Sequence, residues 1–112
     1  MATWCSACKK QLPQLQLLRK TFSEDRLAMY GVPIDEDDVP DQLSSYVKRH
    51  QPGYRILLEL SSNERASVSK VLQTMIRSEP LPSSIVTNAQ GKVLRVFRGV
   101  PTTSDLRRLS NQ

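Results

Sequence analysis

The sequence predicts an α/β fold, in which helices alternate with strands before a β-hairpin and a last helix. Three observations carry this prediction. Apolar residues recur at helical spacing near the N-terminus and again after residue 61, a continuous apolar run follows the first of these segments, and two β-rich segments flank a polar turn near the C-terminus. The length of 112 residues suits one domain, which we predict over residues 1–112.

The first predicted element is a helix over residues 5 to about 22. Its apolar residues follow one another at steps of 4, 3 and 7, which places them on one helical face: Cys8, Leu12, Leu15 and Phe22. Pro13 lies inside this helix and has no amide hydrogen to donate. We therefore expect a kink at Pro13.

A strand, a loop and a second helix are predicted next. The apolar run over residues 27–32 is too short for a core helix and indicates a strand buried on both faces, as in a parallel sheet. The acidic residues 35–38 mark a loop, and Pro40 suits the first position of a helix. The apolar face of that helix carries Leu43, Tyr46, Val47 and His50, so we expect His50 to pack or cap rather than to catalyse.

The C-terminal half begins with a short predicted strand over residues 54–60. Ser61 and Glu64 then resemble a capping box, and they precede the cleanest amphipathic pattern of the chain: Val68, Val71, Leu72, Met75 and Ile76. Residues 84–87 and 92–97 predict a hairpin. Thr102 or Thr103 is expected to cap a last helix with Leu106 and Leu109 on its apolar face.

The composition restricts the class of protein. A hydrophobic content of 38% is too high for a disordered chain, and the longest apolar stretch, residues 27–33, is too short to span a membrane. The first ten residues hold no apolar segment of a signal peptide. The net charge of +5 is spread along the chain beside only 5% aromatic residues, so we expect no nucleic acid as a partner. The alternative, a basic nucleic-acid binder, predicts salt-sensitive affinity for DNA.

Cys5 and Cys8 are the residues most informative about function. Two cysteines three residues apart at a helix start lie one turn from each other, close enough for a disulfide. The free amides and positive end of the helix favour a thiolate at Cys5, and Lys9 and Lys10 add positive charge. We expect Cys5 to attack a partner disulfide and the shielded Cys8 to resolve the mixed disulfide. The alternatives are half a zinc site, which needs two further ligands, and a pair of core cysteines. We expect no cofactor and no metal.

The segment around these cysteines resembles the active-site helix of the thioredoxin superfamily. Trp4 directly precedes the Cys-x-x-Cys motif, and Pro13 follows Cys8 by five residues. Residues 2–15 are most similar to the TlpA/ResA type of thioredoxin-like protein, whose members are extracytoplasmic thiol–disulfide oxidoreductases and often membrane-anchored. The resemblance continues over essentially the whole chain, through residues 30–37 and 81–93, which resemble the family's second strand with its acidic turn and its cis-proline loop with the following hairpin.

This resemblance implies a fold, a function and a set of site residues. The fold is thioredoxin-like, with a mixed sheet and flanking helices. The implied function is exchange of dithiol and disulfide with protein substrates, supported by an upstream redox partner, in an extracytoplasmic or periplasmic location. Cys5 and Cys8 are the implied catalytic residues. The implied substrate-binding residues are Trp4, Leu81 and Pro82, with a cis Leu81–Pro82 bond facing Cys5 and the Leu81 backbone bonding an extended peptide.

The sequence departs from the family pattern in two places. Ser6 and Ala7 stand between the cysteines, where thioredoxins commonly place a proline before the second cysteine. The resemblance therefore does not predict the reduction potential of the Cys5–Cys8 pair. The chain also starts three residues before Trp4, so we expect the strand that precedes the Cys-x-x-Cys helix to be absent. This expectation leaves an alternative function: a truncated thioredoxin-fold interaction module without turnover, dimerising through exposed sheet edges.

Overall fold

The computed structural model describes residues 1–110, which hold five helices and four short strands. The helices are α1 (Ser6–Lys10), α2 (Leu12–Thr21), α3 (Pro40–His50), α4 (Ser62–Ile76) and α5 (Thr103–Ser110). The strands are β1 (Tyr30–Gly31), β2 (Arg55–Ile56), β3 (Ser83–Thr87) and β4 (Val93–Arg98). This order confirms the predicted α/β class. The last two residues of the predicted domain, 111–112, lie outside the described residues.

The strands form two separate two-stranded sheets. β1 and β2 run parallel with Tyr30 opposite Arg55, and β3 and β4 run antiparallel with Ser83 opposite Arg98. The predicted hairpin is therefore confirmed. Within residues 1–110 no strand joins the two sheets, and none precedes α1.

The first strand is shorter and more exposed than the sequence predicts. Of residues 27–32 only Tyr30 and Gly31 form a strand, and the Tyr30 side chain is 59% exposed. The prediction of a strand buried on both faces is therefore wrong. The main contacts of β1 among the described elements are with β2 in the plane of the sheet, and no helix packs extensively on its faces. The strand predicted over residues 54–60 is likewise reduced to Arg55–Ile56.

The N-terminal helix is divided in two, where the sequence predicts one kinked helix. α1 ends at Lys10, Gln11 caps both helices, and α2 begins at Leu12 with Pro13 in its first turn. Proline lacks an amide hydrogen and crowds the turn before it, so it is best accommodated where helical amides have no partner in any case. The chain therefore starts a new helix at this point.

The helix ends follow the predicted signals closely. At α4, Ser61 Oγ accepts from the backbone N–H of Glu64 at 3.1 Å, while Glu64 Oε1 accepts from the N–H of Ser61 at 3.0 Å. This confirms the capping box. At α5, Thr102 Oγ1 accepts from the N–H of Asp105 at 3.1 Å, so Thr102 is the capping threonine of the two that were predicted.

The predicted apolar helix faces are buried to different degrees. Leu43 and Tyr46 of α3 are buried, and the His50 ring packs against Tyr46 with ring centroids 4.6 Å apart, which confirms the packing position of His50. On α4, by contrast, only Leu72 is buried and Met75 is 54% exposed. β4 packs against part of this helix, and Val71 and Met75 line an open groove together with Val93 of β4.

Two small clusters of buried side chains hold the fold together. The larger one joins α2 to α5 through Leu18, Phe22 and Leu106, against which four partly buried residues pack: Leu27, Met29, Val86 and Val100. The other cluster contains both cysteines together with Ala2 and the partly buried Leu81. The second cluster brings the N-terminal motif next to the loop that precedes β3.

Candidate active site

Cys5 is the residue that caps the N-terminus of α1. Its backbone is extended, with φ −79° and ψ 106°, and its Sγ accepts a hydrogen bond from the backbone N–H of Cys8 at 3.1 Å. The sulfur thus occupies the place that a serine or aspartate oxygen usually takes at a helix start. Both the N–H group and the positive end of the helix stabilise negative charge on this sulfur.

Cys5 and Cys8 form a disulfide, with their Cα atoms 5.3 Å apart. This separation lies within the range of ordinary disulfides. The three-residue spacing at a helix start therefore brings the two sulfurs together, as the sequence predicts.

The disulfide is covered on both of its sulfurs. Cys5 is 4% exposed and Cys8 is 6% exposed, so the predicted shielding of Cys8 is confirmed, and in this oxidised form Cys5 is covered as well. The reason is tertiary packing, because the fully buried Ala2 and the partly buried Leu81 lie against the pair. Ala2 or Leu81 must therefore move slightly before a thiol can reach Cys5.

Leu81, which precedes Pro82 in the loop before β3, packs against the cysteine cluster from a distant part of the chain. The Leu81–Pro82 peptide bond is cis, as predicted. The carbonyl oxygen of Pro82 accepts from the N–H of Gly99 at 2.9 Å, which ties this loop to the residue after β4. The loop is thus held in place by the hairpin.

Trp4 stands at the exposed rim of the cysteine cluster. Its side chain is 58% exposed, and its indole Nε1–H donates to Asp35 Oδ2 at 2.7 Å. The backbone N–H of Asp37 and the Trp4 indole lower the pKa of Asp35 below the ordinary carboxyl value of 3.8. Sequence reasoning missed Asp35 as a site residue, because it treated the acidic residues only as a loop.

Lys9 and Lys10, which were expected to add positive charge near Cys5, are exposed and occupy the last turn of α1. Their placement suits the negative end of the helix. The hydrogen bond to Cys5 Sγ comes from the Cys8 N–H at the helix start.

Among residues 1–110 no group of three or more His, Cys, Asp and Glu side chains lies close enough to share a metal ion. No helix in the same range has both the length and the apolar composition needed to cross a bilayer.

Comparison with known proteins identifies the family. The sequence pattern of the AhpC/TSA family matches residues 1–96, which is most of the chain. The chain belongs to the AhpC/TSA family.

Curated relatives include the thiol-disulfide oxidoreductase ResA of Bacillus subtilis (strain 168), which is 26% identical over 102 residues, or 91% of this chain and 51% of that protein. ResA of Bacillus thuringiensis subsp. konkukian is 24% identical over 104 residues, or 93% of this chain and 54% of that protein. The chain spans about half the length of these relatives.

Solved structures confirm the thioredoxin-like fold of this AhpC/TSA-family chain. The thio-disulfide isomerase of Thermus thermophilus matches with a TM-score of 0.66 and 24% identity, over 96% of this chain and 70% of that one. StoA of Bacillus subtilis matches with a TM-score of 0.64 and 21% identity, over 98% of this chain and 77% of that one. At these identities the structures establish the fold alone.

Proposed function

We propose that the protein is a thiol–disulfide oxidoreductase that exchanges dithiol and disulfide with protein substrates through Cys5 and Cys8. The observation that carries this proposal is the Cys5–Cys8 disulfide at the start of α1, where Cys5 Sγ accepts the N–H of Cys8. Family membership and the resemblance to proteins named thiol-disulfide oxidoreductase add support.

The exchange proceeds in two displacements on sulfur. In the reducing direction, the Cys5 thiolate attacks one sulfur of a substrate disulfide, so a Cys5–substrate bond forms as the substrate S–S bond breaks. The released substrate thiolate takes up a proton. Cys8 then loses its proton and attacks Cys5 Sγ, which forms the Cys5–Cys8 disulfide and releases the second substrate thiol. The substrate gains two electrons, the cysteine pair loses two, and an upstream dithiol restores the pair.

We assign substrate-binding roles to three residues near the disulfide: Leu81, Pro82 and Trp4. Leu81 packs against the sulfurs, and its backbone is proposed to pair with an extended segment of the substrate, as in strand addition. Pro82 keeps this loop next to the cysteines. Trp4 supplies an exposed aromatic surface beside Cys5.

The proposal extends to domain organisation and location. We propose that residues 1–112 belong to one thioredoxin-like domain and that the protein works outside the cytoplasm. The resemblance of the motif to TlpA/ResA-type proteins supports this location.

The divided sheet supports a second candidate function. β1 pairs only with β2 and β3 only with β4 in the described chain, which leaves strand edges without a neighbouring strand. These edges suit a homodimeric interaction module without turnover. Light scattering together with the pKa of the Cys5 thiol separates the two functions: a stable dimer with unreactive thiols supports the module, and a monomer with a lowered Cys5 pKa supports the oxidoreductase.

Reduction of insulin in the presence of dithiothreitol tests the proposed function. We expect the wild-type protein to accelerate precipitation of the insulin chains and Cys5→Ser to leave only the rate of dithiothreitol alone, because the attacking sulfur is gone. Ser44→Ala changes an exposed serine of α3, outside the Cys-x-x-Cys motif, and serves as the matched control. Equal rates from wild type and Cys5→Ser would refute the function.

A further inference from the structure

The acidic turn, residues 35–38, accepts hydrogen bonds from both residues that directly precede Cys5 in the sequence. Asp35 Oδ2 accepts from the indole N–H of Trp4 at 2.7 Å. Asp38 Oδ2 accepts from the backbone N–H of Thr3 at 2.9 Å, and its other oxygen accepts from the Thr3 hydroxyl. Thr3 and Trp4 are therefore both hydrogen-bonded to one turn that lies more than thirty residues further along the chain.

Asp35 is oriented by bonds to both of its oxygens. While Oδ2 binds Trp4, Oδ1 accepts from the backbone N–H of Asp37 at 2.9 Å. The carboxylate therefore has a fixed direction, and the same bonds lower its pKa, so it is ionised at neutral pH. Hydrogen bonds to a charged acceptor are stronger than neutral ones. The acidic turn is itself tied to α4 by an ion pair between Glu36 and Arg65 at 3.7 Å.

An exposed tryptophan held in this way is suited to substrate docking. Trp4 is 58% exposed, so most of its ring is free to contact a partner. A side chain that is already immobile loses less conformational entropy when a partner packs on it. The Asp35 bond therefore prepares the Trp4 ring for contact before a substrate arrives.

We propose that Asp35 is a positioning residue for the exchange reaction: its hydrogen bond fixes the orientation of the Trp4 indole beside Cys5, and a substrate docks on this indole. This inference rests on the proposed function. Asp35 bonds to Trp4 and to the backbone of Asp37 and not to either sulfur, so its loss acts on substrate binding more than on the sulfur chemistry.

Tryptophan fluorescence tests the contact itself. Trp4 is the sole tryptophan of the chain, so its time-resolved anisotropy reports this side chain alone. We expect Asp35→Ala to increase the amplitude of the fast anisotropy decay. Asp37→Asn removes a charge from the same turn, retains the backbone N–H of residue 37, and is expected to match wild type. An unchanged decay in Asp35→Ala overturns the proposal.

Steady-state insulin reduction tests the positioning role. We expect Asp35→Ala to raise KM about fivefold and to change kcat by less than about twofold, as fits the loss of one hydrogen bond that serves docking. Asp35→Asn keeps one acceptor oxygen and the side-chain volume, and is expected to give a smaller rise. Asp37→Asn controls for charge and is expected to leave KM unchanged.

The outcomes separate the positioning role from the proposed function. An unchanged KM in both Asp35 variants, or an equal rise in Asp37→Asn, overturns the role of Asp35 while wild-type activity upholds the function. A wild-type protein that does not reduce insulin overturns the function and the positioning role together.

Discussion

Cys8→Ser is expected to halt the exchange cycle at the mixed disulfide. Cys5 retains its place at the start of α1 and the N–H of residue 8, so its first attack on a substrate disulfide proceeds. The serine hydroxyl does not displace the substrate from Cys5, because only a thiolate carries out this step. We expect insulin reduction to fall to the rate of dithiothreitol alone. In the absence of dithiothreitol, a covalent adduct with a disulfide peptide should accumulate in equimolar amount, as measured by mass spectrometry under non-reducing conditions.

Cys5→Ser is the matched control for this trapping experiment. It retains a single thiol in the same helix, but Cys8 lies inside α1 and lacks the cap position that stabilises a thiolate at Cys5, so we expect it to form no adduct. An adduct on Cys8 in Cys5→Ser, or equal amounts of adduct in both variants, would contradict the assignment of Cys5 as the attacking sulfur.

Gly31→Ala is expected to destabilise the fold strongly. A Cβ at residue 31 falls 2.6 Å from Cε1 and 2.7 Å from Cδ1 of Tyr54, closer than carbon atoms approach in proteins. Gly31 is buried in β1 and the half-buried Tyr54 ring lies directly against it, so the new methyl group requires the ring or the strand to shift. We expect the free energy of unfolding to fall by about 2–3 kcal/mol, as measured by urea denaturation. That is a large fraction of the stability of a small domain.

Two further variants isolate the cause of this effect. Gly91→Ala places a methyl group where nothing lies within 4 Å, so only its φ of +84° is costly, by roughly 1 kcal/mol. Gly31→Ala combined with Tyr54→Leu removes the ring that the new methyl group meets. We expect the double variant to lower the free energy of unfolding by less than the sum of the two single changes. A double variant whose loss equals that sum would contradict steric conflict as the cause.

The features that were predicted correctly depend on residues close together in sequence. The capping box joins Ser61 to Glu64, the disulfide joins Cys5 to Cys8, and the hairpin links β3 to β4 through a short turn. Each has a local pattern whose physical cause acts within a few residues. The thioredoxin-like fold was predicted from the resemblance that begins at these cysteines.

The features that were missed depend on contacts between distant segments. Trp4 meets Asp35 across 31 residues, and no local pattern predicts that bond. Cys5 is buried because Leu81 reaches it from the loop before β3, so its exposure did not follow from its place in α1. Tyr30 is exposed because β1 makes its main contacts with β2 and no described helix packs extensively on it, although its apolar run is typical of a strand covered on both faces.

If Cys5 is an activated nucleophile, the pKa of its thiol lies below that of an ordinary cysteine. The N–H of Cys8 and the start of α1 stabilise the thiolate, whereas burial opposes ionisation. We predict that the first two effects prevail. In reduced Cys8→Ser, the rate of iodoacetamide alkylation against pH should show a midpoint below about 8.5, the pKa of an ordinary cysteine. A midpoint at or above about 8.5 would contradict the account.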